Sequence, residues 1–321
     1  MPRPASQPLP LPPVSADGTV LARGRFPVPD RYDLPATVGT LLVGRRDPTA
    51  RLGAREFWRA SRTPDGPGVV RLRHEAGHVT ATGYGPGGPW LVARAQALAG
   101  VHRPIGDFRE VAVRHPVVAS LAARSPDVLL PRSGRVFQEI VGTVLQQKVT
   151  WQEAVRSYLG VVRHFAEPAP GPMPLLLPPD PEAVATTPYW VFHRYGVEQR
   201  RADTLRRVAS VASRLEETVD LPPEEASRRL RALSGIGPWT VGELGRLAYG
   251  DPDAVTVGDY HLPHQVAYTL VGEPRADDAR MLQLLEPFAG HRGRVVRLII
   301  AAGTRPPRRG PRRPLRNFTH S

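Results

Sequence analysis

Two short stretches carry residue types that could do chemistry. In LRALSGIGPWT, Gly235 and Gly237 flank Ile236 and are followed by Pro238, Trp239 and Thr240; about twenty residues later, VGDYHL sets Asp259 beside Tyr260. Glycines permit torsions and close approaches that a Cβ forbids, so the first stretch can present unpaired amides at a helix start, where anions bind. Ile236 can point inward and anchor the turn. The plain alternatives are a helix-helix turn with a glycine cap for the first stretch and a helix N-cap for Asp259. Asp251 and Asp253 in GDPDA read as turn residues. His261 and His264 lie three apart but lack a third ligand, so no metal site is expected.

These residues need elements to hold them. VLARGRF, VVRLRH and HVTATGYG have strand character and are punctuated by TPDGPG and GPGGPW, with a short helix expected at GAREFWRAS. From Leu91 the period changes: WLVARAQALAG, RVFQEIVGTVLQ, TWQEAVRSYLGVVRHF, RRADTLRRVASVASRLEE and ADDARMLQLLEPF space their apolar residues by three and four, as packed helices do. The expected class is α+β: a small antiparallel-β domain over 19–100, then an all-helical domain over 101–303. The proline-rich loop EPAPGPMPLLLPPDPEA interrupts the helices. A proline-rich leader, 1–18, and an arginine-rich tail, 304–321, are expected to be disordered.

Composition limits the function. The chain has 321 residues, enough for two domains, and is 41% hydrophobic without an apolar run long enough to span a bilayer. No cysteine is present, which excludes disulfides, thiolate zinc sites and cysteine-held iron-sulfur clusters. The leader lacks the apolar stretch of a secretory signal, so a cytoplasmic, nucleoid-associated protein is expected. A net charge of +13 favours polyanions through counterion release, and the tail alone carries six arginines (Arg305, Arg308, Arg309, Arg312, Arg313, Arg316) without an acid. Arginine predominance is also what a GC-rich genome produces, since Lys148 is the only lysine.

The hairpin with its following acid, LRALSGIGPWTVGELGRLAYGDPDAVTVGDYHL, resembles the helix-hairpin-helix DNA glycosylases, and most of all the bacterial 3-methyladenine glycosylase II branch. PRSGRVFQEIVGTVLQQKVTWQEA and FAGHRGRVVRLII extend the resemblance over most of 88–303; the β-rich part agrees in architecture more than in residues. The resemblance implies a helix-hairpin-helix glycosylase domain that excises alkylated bases from double-stranded DNA as a monomer, and it implies no organic cofactor. A monovalent cation on the hairpin carbonyls is compatible with it.

By the same resemblance, Gly235, Ile236, Gly237 and Thr240 grip the DNA backbone and Asp259 is the catalytic acid. Bifunctional members carry a lysine where Trp239 stands; without that amine a Schiff base cannot form there, so the chain is expected to lack lyase activity. Trp239, Tyr260, Phe288 and Glu243 are the expected base pocket, Glu243 standing where the branch can carry an aromatic. Gln147 or Lys148, in either of two registers, is the expected filler of the gap left by an everted base. Two alternatives stay open: a glycosylase for deaminated or oxidised bases, with Glu243 reading a polar edge, and a non-catalytic DNA-binding module.

Overall fold

The computed structural model describes residues 19–307, so the expected leader and most of the arginine tail lie outside the described residues. Strands β1 (Val20–Pro27), β2 (Ala50–Leu52), β3 (Glu56–Thr63), β4 (Gly66–Glu75) and β5 (His78–Tyr84) form one antiparallel sheet in the order β1-β5-β4-β3-β2. Turn residues set the registers. Pro64 and Asp65 make the tip between paired Thr63 and Gly66, while Ala76 and Gly77, both at positive φ, make the two-residue turn that pairs Glu75 with His78.

The helix expected at GAREFWRAS is a correction: from Glu56 onward this segment is β3. Phe57 and Leu72 pack on one face of the sheet with Leu34 and Leu91. Trp58, Ala60 and Val69 pack on the other with Leu175 and Leu177 of the proline-rich loop. With both faces covered, the strand loses the polar-apolar alternation by which a half-buried strand is recognised.

Helices α1 (Leu34–Val38), α2 (Gly88–Ala93) and α3 (Ala95–Leu98) belong to the sheet's core. Then come α4 (Gly106–Ala112), α5 (Pro116–Arg124), α6 (Val136–Leu145) and α7 (Trp151–His164). Beyond the proline-rich loop run α8 (Pro181–Thr186), α9 (Tyr189–His193), α10 (Gln199–Ala209), α11 (Ala212–Glu216), α12 (Pro223–Arg231) and α13 (Pro238–Leu247). The last are α14 (Leu262–Val271), α15 (Asp278–Leu285) and α16 (Arg292–Ala302).

The helices build two cores. One surrounds α6, which is buried along its whole length with its polar Gln138 and Glu139 included, and joins Ile140 and Val144 to Tyr158, Leu205 and Leu244. The other draws α4 and α5 away from their chain neighbours to pack Leu121 with Val266, Leu285 and Leu298 of the last three helices. Each such side chain contributes about 1.5–3 kcal/mol. Between sheet and helices, a buried ion pair joins Arg59 of β3 to Glu139 of α6. Among the described residues, no helix is long and apolar enough to cross a membrane.

Candidate active site

The hairpin joins α12 to α13 across the seam between α10 and α6. Leu230 and Ile236 are buried in the first helical core, and Pro238 opens α13 at a position where its missing N–H costs nothing. The two glycines serve different ends. Gly235 sits at φ +95°, and a Cβ there would meet Thr204 Oγ1 at 2.2 Å, so both torsion and the neighbouring α10 require glycine. Gly237 is extended, and a Cβ there would meet nothing within 4 Å: it faces open space. Among the described residues the amides of Gly237, Trp239 and Thr240 find no acceptor, so the start of α13 is a set of free donors next to an open approach.

The hairpin is braced through its carbonyls. Gln147 Nε2 donates to Gly235 O at 2.9 Å and to Thr240 Oγ1 at 2.9 Å, and Arg207 Nη1 donates to Ser234 O at 2.6 Å. Two of the hairpin carbonyls, those of Ser234 and Gly235, thus accept side-chain donors. The brace also separates the two gap-filling candidates. Gln147 is committed to the hairpin. Lys148 is exposed, holds a left-handed φ of +56°, and has no partner among the described residues. Just beyond it, Thr150 and Glu153 close a capping box at the start of α7 and fix the turn that carries Lys148.

Asp259 lies beside this hairpin. Its Oδ1 accepts the His261 and Leu262 amides at 2.7 and 2.8 Å, gathering the start of α14. Its Oδ2 receives Trp239 Nε1 at 3.5 Å, a long contact. The helix-capping role and an acid oxygen without a cation therefore coexist in one side chain: Oδ1 holds the backbone, and Oδ2 has no cationic partner among the described residues. Gly258, Tyr260 and His261 around it are exposed, which makes the site an open ledge walled by Trp239.

Two members of the expected base pocket, Phe288 and Glu243, are buried away from this ledge, while Tyr260 stands exposed on it. Phe288 is fully buried and packs with Leu285 and Val295 in the second helical core, where its ring lies 6.4 Å from that of His115. Glu243 is buried in α13; both its oxygens are held by Arg246, and Oε1 also accepts the Thr256 hydroxyl at 2.9 Å. That carboxylate ties α13 to the loop leading to Asp259 and has no edge left to read a base. Burial pulls the Arg246 guanidinium down, but Glu243 outweighs it and raises its pKa. Tyr260 is 80% exposed and turns its ring edge-on to His261 and His264. His264 Nδ1 accepts the Ala276 amide at 3.1 Å. Of the four, Trp239 alone directs a side-chain donor at Asp259.

Sequence reasoning missed the braces. Arg207 precedes the hairpin by 27 residues and Gln147 by 88, and neither separation carries a local signal. Arg200 and Arg207, on one face of α10 by their spacing, were the visible trace.

No family model matches the chain, and no curated protein matches it in sequence. Solved structures do. A 3-methyladenine DNA-glycosylase from Archaeoglobus fulgidus is similar over 87% of this chain and 98% of its own, with a TM-score of 0.73 and 18% identity. The Clostridium acetobutylicum 8-oxoguanine glycosylase/lyase, solved with double-stranded DNA containing cytosine opposite 8-oxoguanine, is similar over 84% and 90%, with a TM-score of 0.63 and 12% identity. A DNA-3-methyladenine glycosidase from Bacillus halodurans is similar over 62% and 90%, with a TM-score of 0.50 and 21% identity. The fold is that of the helix-hairpin-helix DNA glycosylases. The overlap with the Archaeoglobus protein spans so much of both chains that it includes the N-terminal sheet as well as the helical cores.

Proposed function

We propose that this protein is a monofunctional DNA glycosylase that everts alkylated bases, of the 3-methyladenine and 7-methylguanine type, and hydrolyses the N-glycosidic bond to leave an abasic site. The observation that carries this reading is the pairing of Asp259 and Trp239: an acid oxygen left without a cation stands beside a half-exposed indole. Loss of the base leaves positive charge on the sugar, and a fixed carboxylate about 4 Å away in an effective dielectric near 20 contributes about 4 kcal/mol, or about three powers of ten in rate. The free Oδ2 also serves to accept a proton from the attacking water.

The indole supplies what an amine could not. An alkylated purine carries positive charge, and a cation over an indole face gains about 0.5–2 kcal/mol. Lys148, the only lysine, is the proposed gap filler, because Gln147 is engaged elsewhere. The α13 amides hold the strand by a phosphate. The engagement of Glu243 by Arg246 and Thr256 favours the alkylated-base reading over one in which Glu243 reads an oxidised or deaminated base.

Mass spectrometry of the bases freed from randomly damaged duplex DNA tests the proposal. Release of 3-methyladenine or 7-methylguanine supports it; release of oxidised or deaminated bases alone, or binding without release, overturns it. A covalent adduct trapped with borohydride would overturn the monofunctional assignment.

A further inference from the structure

The hairpin borders a second surface that the chemistry at Asp259 does not use. Between α10 and the hairpin lies a polar cleft of about 440 Å³, lined by Gln199, Arg200, Asp203, Arg207 and Ser234 together with the Thr204–Gly235 contact. Residues 200, 203, 204 and 207 follow helical spacing, so they form one face of α10 turned to the hairpin. Because Thr204 sits directly against Gly235, nothing separates this face from the free amides two residues further on.

Its charges are arranged for an anion. Arg200 is exposed and has no ion-pair partner among the described residues. Arg207 spends one nitrogen on Ser234 O and is otherwise exposed. The one acid lining the cleft, Asp203, is drawn toward Arg206 at 3.6 Å. The seven steps from Arg200 to Arg207 rise about 10 Å along the helix, about the axial rise of three phosphate-to-phosphate steps on one strand.

We propose that this cleft is a second phosphate-binding surface, which takes the same DNA strand next to the phosphate held at the start of α13. The proposal rests on the DNA glycosylase reading above and adds to it the path of the strand: from Lys148 past the hairpin and along α10. Arg200 is its main cation. Arg207 both contacts phosphate and holds the hairpin in shape. Asp203 opposes binding and sets a limit on affinity.

The test is the salt dependence of binding to a fluorescein-labelled duplex that holds a stable abasic-site analogue, measured by anisotropy for the parent chain, Arg200→Ala and Asp203→Asn. Each lost phosphate contact lowers the slope of log K against log salt by about 0.9, which between 50 and 200 mM salt is a change of about three- to fourfold. Arg200→Ala is expected to lose that slope and bind several-fold more weakly. Asp203→Asn is expected to bind more tightly, which a merely structural role for α10 would not produce. Parent-like slopes and affinities in both variants overturn this proposal and leave the glycosylase reading standing. A parent chain that does not bind duplex DNA overturns both.

Discussion

Glu243 lies within α13 and Asp259 at the far end of the loop that follows that helix; both are carboxylates, yet their surroundings are opposite. Glu243 is clasped by Arg246 and the Thr256 hydroxyl. Asp259 lies on the surface ahead of α14 and is held through one oxygen by two backbone amides, which orient the group without cancelling its charge. An acid neutralised on the spot can only hold the fold together. An acid positioned by neutral donors keeps a field to offer something else.

Five experiments would break or sharpen that contrast. The largest effect belongs to Asp259→Asn: the amide can still accept the His261 and Leu262 N–H groups, so the fold and DNA binding should persist while base release falls about a thousandfold in single-turnover assays. Glu243→Gln should do the reverse, since breaking a partly buried ion pair costs about 2–4 kcal/mol and would appear as a lower urea midpoint with base release intact at low temperature. Should it abolish release in folded protein, the division between the two acids fails.

Within the hairpin the contrast repeats between the two glycines. Gly235→Ala should destabilise the chain by about 2 kcal/mol, because it strains a positive φ and pushes a methyl into Thr204. A basic group held uncharged by the fold is His102, whose pKa burial, with Arg103 next, brings down to about 4. The unfolded chain takes up this proton near 6.5 and the folded chain only near 4, so stability should fall as pH drops between those values. For a half-buried ring the loss is about 1–2 kcal/mol, and His102→Gln should flatten that part of the pH–stability curve. The smallest effect is expected from Gly237→Ala: unfolding should be almost unchanged, since the Cβ meets open space, while duplex affinity drops a few-fold as the methyl intrudes on the phosphate approach.

What was legible in the sequence follows the same physical line. The hairpin could be read because its chemistry is contiguous: the glycines, the anchoring Ile236 and the Pro238 helix start all lie within a few residues. Helical periodicity marked α6, α7 and α10 because each buries a stripe or more. Strand β3 could not be read, since cover on both faces erased the alternation it would have shown as an open strand. Nor could the fates of Phe288 and Glu243. A phenylalanine in a core and one in a pocket wall look alike in sequence, and whether a glutamate is free depends on an arginine one turn away and a threonine thirteen residues on. The choice between Gln147 and Lys148 likewise turned on a contact 88 residues distant.

That contact has a further consequence. Because the amide of Gln147 bonds both the hairpin carbonyl and the Thr240 hydroxyl, the turn that carries Lys148 and the hairpin are fastened together like the jaws of a caliper. On the proposed reading, the spacing between the gripped phosphate and the interrogated base step is then a fixed gauge. Scanning along DNA would proceed by moving the whole tool one step at a time, with no adjustment of the opening between its jaws.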